Sequence, residues 1–483
     1  MMRKKIVYSF FVVLCAISTF NCFAFSSVRA NTRDPHKEVI SQLYDYIQQN
    51  YVEEVDPEVL YQGAIKGMLS ALDDPYSTYM DSAEWRSLTD VTQGEFGGVG
   101  LSITKPAEST PEKPAYVEVA SPIDDSPGFK AGIQSGDLIV KIEDVDTSTI
   151  SMEEVLSMLR GTVGETVHVT IRRGKNYEFE CALVRAVIEN PTVRYDMIGS
   201  TGYIKVTEFS SKTLMRIQEA LDSFKSKNYD SLIIDLRYNG GGLLTAAVGI
   251  ADKFIDEGTI VETKSRIEFE NFVYKASSVT TVVSNIPVIV LINGASASAS
   301  EILSGALKDT KKAVLVGEKT FGKGSVQVPS GLFNNDGFKI TVARYYSPSD
   351  ANIDKRGIKP DLEISLPLYD PEWEASYVSL VESNDISSYV ESHPDMTEKQ
   401  ISDYADVLSK KYSVDKVYIR KLIRNECDKG KQSRLYDLDF DTQLSEALKV
   451  FKDGRYKTLL EASKTLKETE LLEDDAPLNK AAE

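Results

Sequence analysis

Residues 293–327 read NGASASASEILSGALKDTKKAVLVGEKTFGKGSVQ. The apolar run Pro287 to Ile292 reads as a buried strand that delivers the chain into a turn of small residues holding Ser296, Ser298 and Ser300. From Glu301 to Lys308 the apolar residues Ile302, Leu303, Ala306 and Leu307 recur at helical spacing. A serine between a strand and a helix is exposed and sits at the positive end of the helix dipole, where an oxyanion is stabilised. A second strand, Ala313 to Gly317, leads into Thr320-Phe321-Gly322-Lys323-Gly324, where two glycines let backbone pack closely around the lysine. The bland alternative is a small-residue loop closing a βαβ unit. A phosphate loop is not indicated, because no GxxxxGK[ST] pattern is present.

The combined strings SASASEI and GEKTFGKGSVQ resemble the carboxy-terminal processing proteases, also called tail-specific proteases. The resemblance implies Ser298 as nucleophile, Lys323 as its general base and Gln327 as support for the lysine. Lys323 follows Ser298 by 25 residues, the family's usual spacing. A free lysine has a pKa of about 10.4, so a lysine base must be desolvated. Apolar Phe321 and the flanking glycines are expected to shield it.

Around this stretch the core continues the same alternation. Gly202 to Phe209 reads as a strand, Ser211 to Phe224 as an amphipathic helix, and Ser231 to Arg237 as a buried strand running into Tyr238-Asn239-Gly240-Gly241-Gly242. Repeated strand, helix and strand make the core α/β. The triple glycine is either a plain turn or a place where free N–H groups approach a substrate. In the resembling family this segment reads Asn-Pro-Gly-Gly, and Gly240 replaces the proline here. Gly241, Gly242 and the N–H of Ala299 are the oxyanion-hole candidates. Ala343 to Ser349 and Arg356-Gly357-Ile358-Lys359-Pro360-Asp361 also match family strings, so the resemblance covers about residues 34 to 365.

Before the core, residues 91–185 change character. Phe96-Gly97-Gly98-Val99-Gly100-Leu101 opens the segment, Tyr116 to Val119 alternates, and Ala131-Gly132-Ile133 precedes Gly136-Asp137-Leu138-Ile139. Ser151 to Leu159 reads as a helix with Ser151 as N-cap and Glu154 at the capping-box position. Val167 to Arg172 alternates as a final strand, and Ser102 to Ala115 reads as a polar loop. The segment resembles a PDZ domain. The resemblance implies that Gly97, Gly98, Val99 and Gly100 aim N–H groups at a substrate's terminal carboxylate, while the adjoining strand pairs with an extended tail.

The full chain has 483 residues, too long for one core, and predicts roughly two to four domains. Hydrophobic content of 42% and charged content of 27% are globular values. A formal charge of −18 speaks against nucleic acid as a partner. Residues 1–30 read as an export signal: Arg3, Lys4 and Lys5 precede a largely apolar run from Ile6 to Phe20, and Val28-Arg29-Ala30 fits small-residue cleavage. Cys22-Phe23-Ala24 is a second cleavage option, Cys22 a poor lipidation candidate, and retention as a membrane anchor the alternative to cleavage. The segment carries four positive charges and no acid, so cleavage takes the chain from −18 to −22. Cys181 and Cys427 then remain, and neither they nor His36, His168 and His393 form a disulfide framework or a metal pattern. No cofactor and no metal are expected.

The fold class expected is multidomain: a crotonase-like α/β serine protease core, an inserted, mainly β PDZ domain, and helical N- and C-terminal regions. The divisions are 1–30 (signal or anchor), 31–90 (helical), 91–185 (PDZ), 186–370 (catalytic core) and 371–483 (helical, with a disordered acidic tail beyond Leu471). The family's N-terminal region contributes to dimers, so a homodimer through the helical regions is an expectation. The function expected is an exported endopeptidase of the periplasm or cell envelope that recognises unstructured C-terminal tails and cleaves with a Ser-Lys dyad. The competing readings are a PDZ-bearing binding protein with a dead core, and a crotonase-like acyl enzyme. Intact Ser298, Lys323 and Gln327 speak against the first, and the PDZ-like segment together with the serine–lysine pair speaks against the second.

Overall fold

The computed structural model describes residues 34–474, apart from 107–108, 111–113, 175–176, 284–285, 366–369 and 429–433. The expected export signal and the last nine residues therefore lie outside the described residues. Among those described, no helix is long and apolar enough to cross a membrane. The chain divides into two compact units.

The first unit joins the N-terminal residues to Ser265–Glu270 and Ser325–Ala343. Helices Pro35–Asn50 and Pro57–Ser70 each begin with an aspartate cap followed by proline, which suits the first helical position. A short strand, Thr78–Met80, interrupts the expected all-helical region and pairs antiparallel with residues 337–339. Tyr79 anchors it by donating to the Asp336 carboxylate at 2.7 Å. The stripe Val39, Leu43 and Tyr46 faces solvent.

Three separate sheets lie wholly in the second unit. A six-stranded antiparallel sheet runs in the order Leu101–Thr104, Val117–Pro122, Leu138–Ile142, Thr166–Arg173, Tyr177–Val184, with the short strand Val145–Asp146 paired to Leu138–Ile142 off this path. The Ser151 capping box forms as the sequence predicts, with Ser151 and Glu154 exchanging hydrogen bonds. Two expectations are corrected. The polar loop begins after Thr104 rather than at Ser102, because Ser102 to Thr104 pair with residues 118–121. The strand ending at Arg173 is not the last, since Tyr177–Val184 pairs with it along its whole length. Gly97 and Gly98 are strand residues in a separate two-stranded ribbon with Ala186–Glu189. Arg216 clamps that ribbon to helix Thr213–Ser226 by a bidentate pair with Glu189 at 2.6 and 2.7 Å.

The central sheet runs Val193–Ile198, Thr201–Val206, Ser231–Asp235, Val288–Ile292, Val314–Gly317, Leu362–Glu363. Its first pair is antiparallel and the rest are parallel. Both faces are buried, as parallel sheets require. Ile204, Ile234, Val290 and Leu315 are fully buried. So are Tyr203, Ile233, Ile289 and Val314 from the alternate positions, which pack with Leu444, Ala447 and Val450 of helix Thr442–Lys452.

The C-terminal helices thus divide. Those between Pro371 and Cys427 build their own apolar cluster around Leu380, Ile401, Ile419 and Ile423. Thr442–Lys452 and Arg455–Ala462 cover the central sheet, and the last helix packs on Ala299–Asp309 and extends to Asp474, past the Leu471 boundary where disorder is expected. Leu444 is fully buried at this junction. Leu444→Ala is expected to cost about 2–4 kcal/mol, read as a lower denaturation midpoint of the full chain.

Candidate active site

Three serines enter the turn after strand Val288–Ile292, and the structure separates them. Ser296 Oγ donates to the Leu236 carbonyl at 2.8 Å and Ser300 Oγ to the Asn239 carbonyl at 2.9 Å; both residues are fully buried. Their hydroxyls hold the turn against the oxyanion loop. Only Ser298 is half-exposed. It is the N-cap of helix Ala299–Asp309, with φ 55° and ψ −115°. A left-handed backbone at a non-glycine residue is a strained arrangement that persists only where its surroundings over-determine it.

Glu301 supplies that constraint. Its side chain, one turn into the helix and only 1% exposed, accepts four hydrogen bonds. Oε2 takes the Ser298 N–H at 2.9 Å and the Lys323 N–H at 2.9 Å; Oε1 takes the Gly322 N–H at 2.7 Å and the Thr320 hydroxyl at 2.6 Å. One oxygen therefore joins the backbones of Ser298 and Lys323, holding their amide nitrogens within about 6 Å of each other. Burial pushes the Glu301 carboxyl above the usual carboxylate range, and the four donors pull against that rise. Buried Tyr345 adds a second tie, its hydroxyl bridging the carbonyls of Ser298 and Lys323.

The loop around Lys323 is enclosed from the other side by residues 352–358. Thr320 N–H donates to the Ile358 carbonyl at 3.1 Å and Lys355 N–H to the Gly322 carbonyl at 2.8 Å. A Cβ at Gly324 would lie 2.6 Å from the Asp354 nitrogen, so only glycine fits there. The string Arg356 to Asp361 is accounted for in the same way, with Asp361 pairing with buried Lys308 and accepting the Leu315 N–H at 2.8 Å. Lys323 is half-buried. Phe321 does not provide the expected shield: it is 58% exposed, its N–H held by the Ser296 carbonyl at 3.0 Å.

The glycine loop lies directly against the serine turn. A Cβ at Gly241, whose φ is 110°, would sit 2.8 Å from the Ser298 Cβ and 3.0 Å from the Ala299 nitrogen. Its N–H, one of the expected oxyanion donors, is directed at the Asn239 side-chain oxygen at 2.9 Å. Ala299, first in its helix, has no intrahelical acceptor for its N–H. Gly240 does not use glycine's freedom: its φ is not positive and nothing crowds it. Rigidity comes from its neighbours. Asn239 is fully buried and bonds the Val206 carbonyl at 2.9 Å, while its own carbonyl accepts the Ala297 N–H at 3.0 Å.

Two other groups of candidates make bonds of their own. The Gln327 side chain donates to the Ser325 hydroxyl at 2.8 Å and the Thr341 hydroxyl at 3.1 Å, within the first unit. The turn at Val99 and Gly100 precedes strand Leu101–Thr104, and its carbonyls accept the N–H groups of Gly128 and Ile123, both at 2.9 Å. His168 faces Glu143, and His393 contacts Tyr389. The sequence reading missed Glu301. Its only local signal is an acid in the first turn of a helix, which has an ordinary dipole explanation.

A family model described as Peptidase family S41 matches residues 200–364. A second, the N-terminal domain of the activating protease CtpB, matches residues 24–84, and a PDZ domain model matches residues 118–173. The chain is 36% identical over 391 residues to a carboxy-terminal-processing protease of Bartonella bacilliformis, covering 79% of this chain and 87% of that protein. It is 32% identical over 380 residues to the carboxy-terminal processing protease CtpA of Bacillus subtilis, covering 76% and 79%. Among solved structures, the photosystem II D1 C-terminal processing protease aligns over 69% of this chain and 94% of that one, at 28% identity and a TM-score of 0.41.

Glu301→Gln keeps the size of the side chain but replaces one acceptor oxygen by an amide that faces N–H donors. It is expected to lower kcat toward a peptide substrate by about 10²-fold, through misplacement of the serine turn and the lysine loop, with KM little changed. Wild-type kcat in a folded variant would refute the role given to this carboxylate.

Proposed function

The chain belongs to peptidase family S41, the carboxy-terminal processing proteases, and on that premise we propose that it is an exported endopeptidase cutting with a Ser298–Lys323 dyad. It is a serine protease with a PDZ domain. The observation that carries the dyad is the shared Glu301 oxygen, which holds the backbones of these two residues together in a crotonase-like core. Ser298 Oγ attacks the scissile carbonyl as the Lys323 amine takes its proton, and the same ammonium then protonates the leaving amine. The developing oxyanion is received by the N–H groups of Ala299 and Gly242, with Gly241 packing the loop against the serine. Lys323→Ala and Lys323→Arg are both expected to abolish cleavage of an unfolded, apolar-tailed substrate while folding persists. Arginine fails because its guanidinium does not deprotonate. Turnover by the arginine variant at the wild-type rate sinks the assignment.

Tail recognition follows from topology. Strand Leu101–Thr104 stands at the edge of its sheet, and an extended substrate tail can add to it as a further strand. The terminal carboxylate is received at the turn through Val99 and Gly100, which the ribbon residues Gly97 and Gly98 deliver. Residues 1–30 direct export to the cell envelope, and the exposed stripe of Val39, Leu43 and Tyr46 is the surface we assign to a homodimer. The tail reading has its own test. Amidating the C-terminus of a long substrate is expected to raise its KM about tenfold or more, since the charge-assisted bonds to backbone N–H groups are lost. Equal cleavage of free-acid and amidated substrates removes the carboxylate from recognition.

A further inference from the structure

A cavity of about 470 Å³ opens beside the oxyanion loop, between the core and the C-terminal helices. On the core side it is lined by Lys205, at the end of strand Thr201–Val206, and by Arg237 and Tyr238, which follow strand Ser231–Asp235. The opposite wall includes Lys421 and Arg424 of helix Lys416–Cys427. That wall lies outside residues 200–364, which the peptidase family model matches.

The charges in the cavity are of two kinds. The arginines are committed to carboxylates. Arg237 pairs with Asp235 and Asp441, Arg424 with Asp437, Glu398 and Asp439, and Arg434 with Asp428. These pairs also account for the acids in the lining, Asp428, Asp437 and Asp441. Lys205 and Lys421 form no ion pair among the described residues. Five cations and three acids line the concavity, an excess of two positive charges in a chain whose net charge is −18, although Lys205 also acts through space on the Asp441 carboxylate. A cleft with low-dielectric walls focuses such a local field, and the ligand it favours carries a carboxylate.

Tyr238 connects the cavity to the reaction. Its backbone is left-handed, with φ 63°, yet its ring is 66% exposed. The fold thus holds an aromatic residue in a disfavoured conformation without burying it. Its N–H is fixed by the Asn293 side chain at 3.0 Å, at the start of the serine turn. Three residues on, Gly241 lies against Ser298. Consecutive Cα atoms are 3.8 Å apart, so Tyr238 lies within about 11 Å of Gly241, the span of three or four extended residues.

We propose that this cavity is a substrate subsite for an acidic side chain two to four residues from the scissile bond, read by Lys205 and Lys421 with Tyr238 as its floor. The proposal rests on the protease reading above and names the substrate class of that site.

The test uses the full chain and peptides that share one apolar tail. Asp, Ala or Lys is placed in turn at each of four positions on either side of the bond cleaved. At the best position, the Asp peptide is expected to show a kcat/KM about tenfold above its Ala counterpart, and the Lys peptide one below it. That Asp-to-Ala ratio should fall to about twofold or less in Lys421→Ala and in Lys205→Ala, and invert in Lys421→Glu. Because the readout is a ratio within each variant, a general loss of activity or of folded protein does not mimic it. An acid preference absent at all positions, or one that survives Lys421→Glu, overturns the proposal. If the wild type cleaves none of the peptides, the protease reading fails separately. Fluorescence anisotropy of the same peptides on Ser298→Ala then decides the subsite: tighter binding of the Asp peptide that Lys421→Glu abolishes supports it, and charge-independent binding overturns it.

Discussion

The geometry of this site depends on one buried carboxylate. Taking an ionised carboxylate out of water costs several kcal/mol unless its acceptor sites are filled. Glu301 fills them with four donors, and all four belong to the serine turn or the lysine loop: the Ser298 amide, the Lys323 and Gly322 amides, and the Thr320 hydroxyl. The spacing between the backbones of Ser298 and Lys323, the proposed nucleophile and base, is therefore set by the angles at a carboxylate rather than by the lengths of two loops. The same bond explains how Ser298 keeps its left-handed backbone. In that conformation its N–H is held by the Glu301 carboxylate, and the helix that carries the acceptor is itself buried along its length.

The oxyanion loop is fixed by a second buried electrostatic arrangement behind it. Arg237 uses all five of its N–H donors: Nε and Nη2 on Asp235, Nη1 and Nη2 on Asp441, and Nη1 on Gln443. Tyr203 donates to the same Asp235 carboxylate at 2.7 Å. A guanidinium this buried is tolerable only when fully paired, and full pairing requires Asp441 from the C-terminal helices. The resembling family stiffens this loop with a proline where Gly240 stands. Here the stiffness comes from Arg237 on one side of Tyr238 and Asn239 on the other.

Much of this was legible in the sequence, and the limits follow the range of the interactions. The strand, turn and helix around Ser298 are written in local periodicity, and the Ser151 capping box in a four-residue pattern. The strand Tyr177–Val184 was equally legible, since Tyr177, Phe179, Cys181 and Leu183 alternate, but the reading stopped one strand early. The choice among Ser296, Ser298 and Ser300 rests on family resemblance alone, because the partners that occupy two of the hydroxyls lie about 60 residues away. Glu301 was hidden for a related reason. Its partners are up to 22 residues downstream, and an acid in a first helical turn asks for no further explanation.

The division of labour along the chain follows from the same contacts. Ser298, Lys323, Glu301 and the glycine loop all fall within residues 200–364, so that segment carries the proposed reacting groups. It does not carry the conditions that hold them. Asp235 and Arg237 form a buried pair inside the segment, but two of the guanidinium's nitrogens bond to Asp441, over 200 residues away in sequence. Asp441 is itself the cap of helix Thr442–Lys452, accepting the Leu444 N–H at 2.9 Å. Leu444 in turn packs on the central sheet whose strands end at the active-site loops. Burial of that helix and neutralisation of Arg237 are thus one event: a chain that ended after residue 364 would leave the face of the sheet bare and the guanidinium half-paired, next to the glycine loop that packs against Ser298.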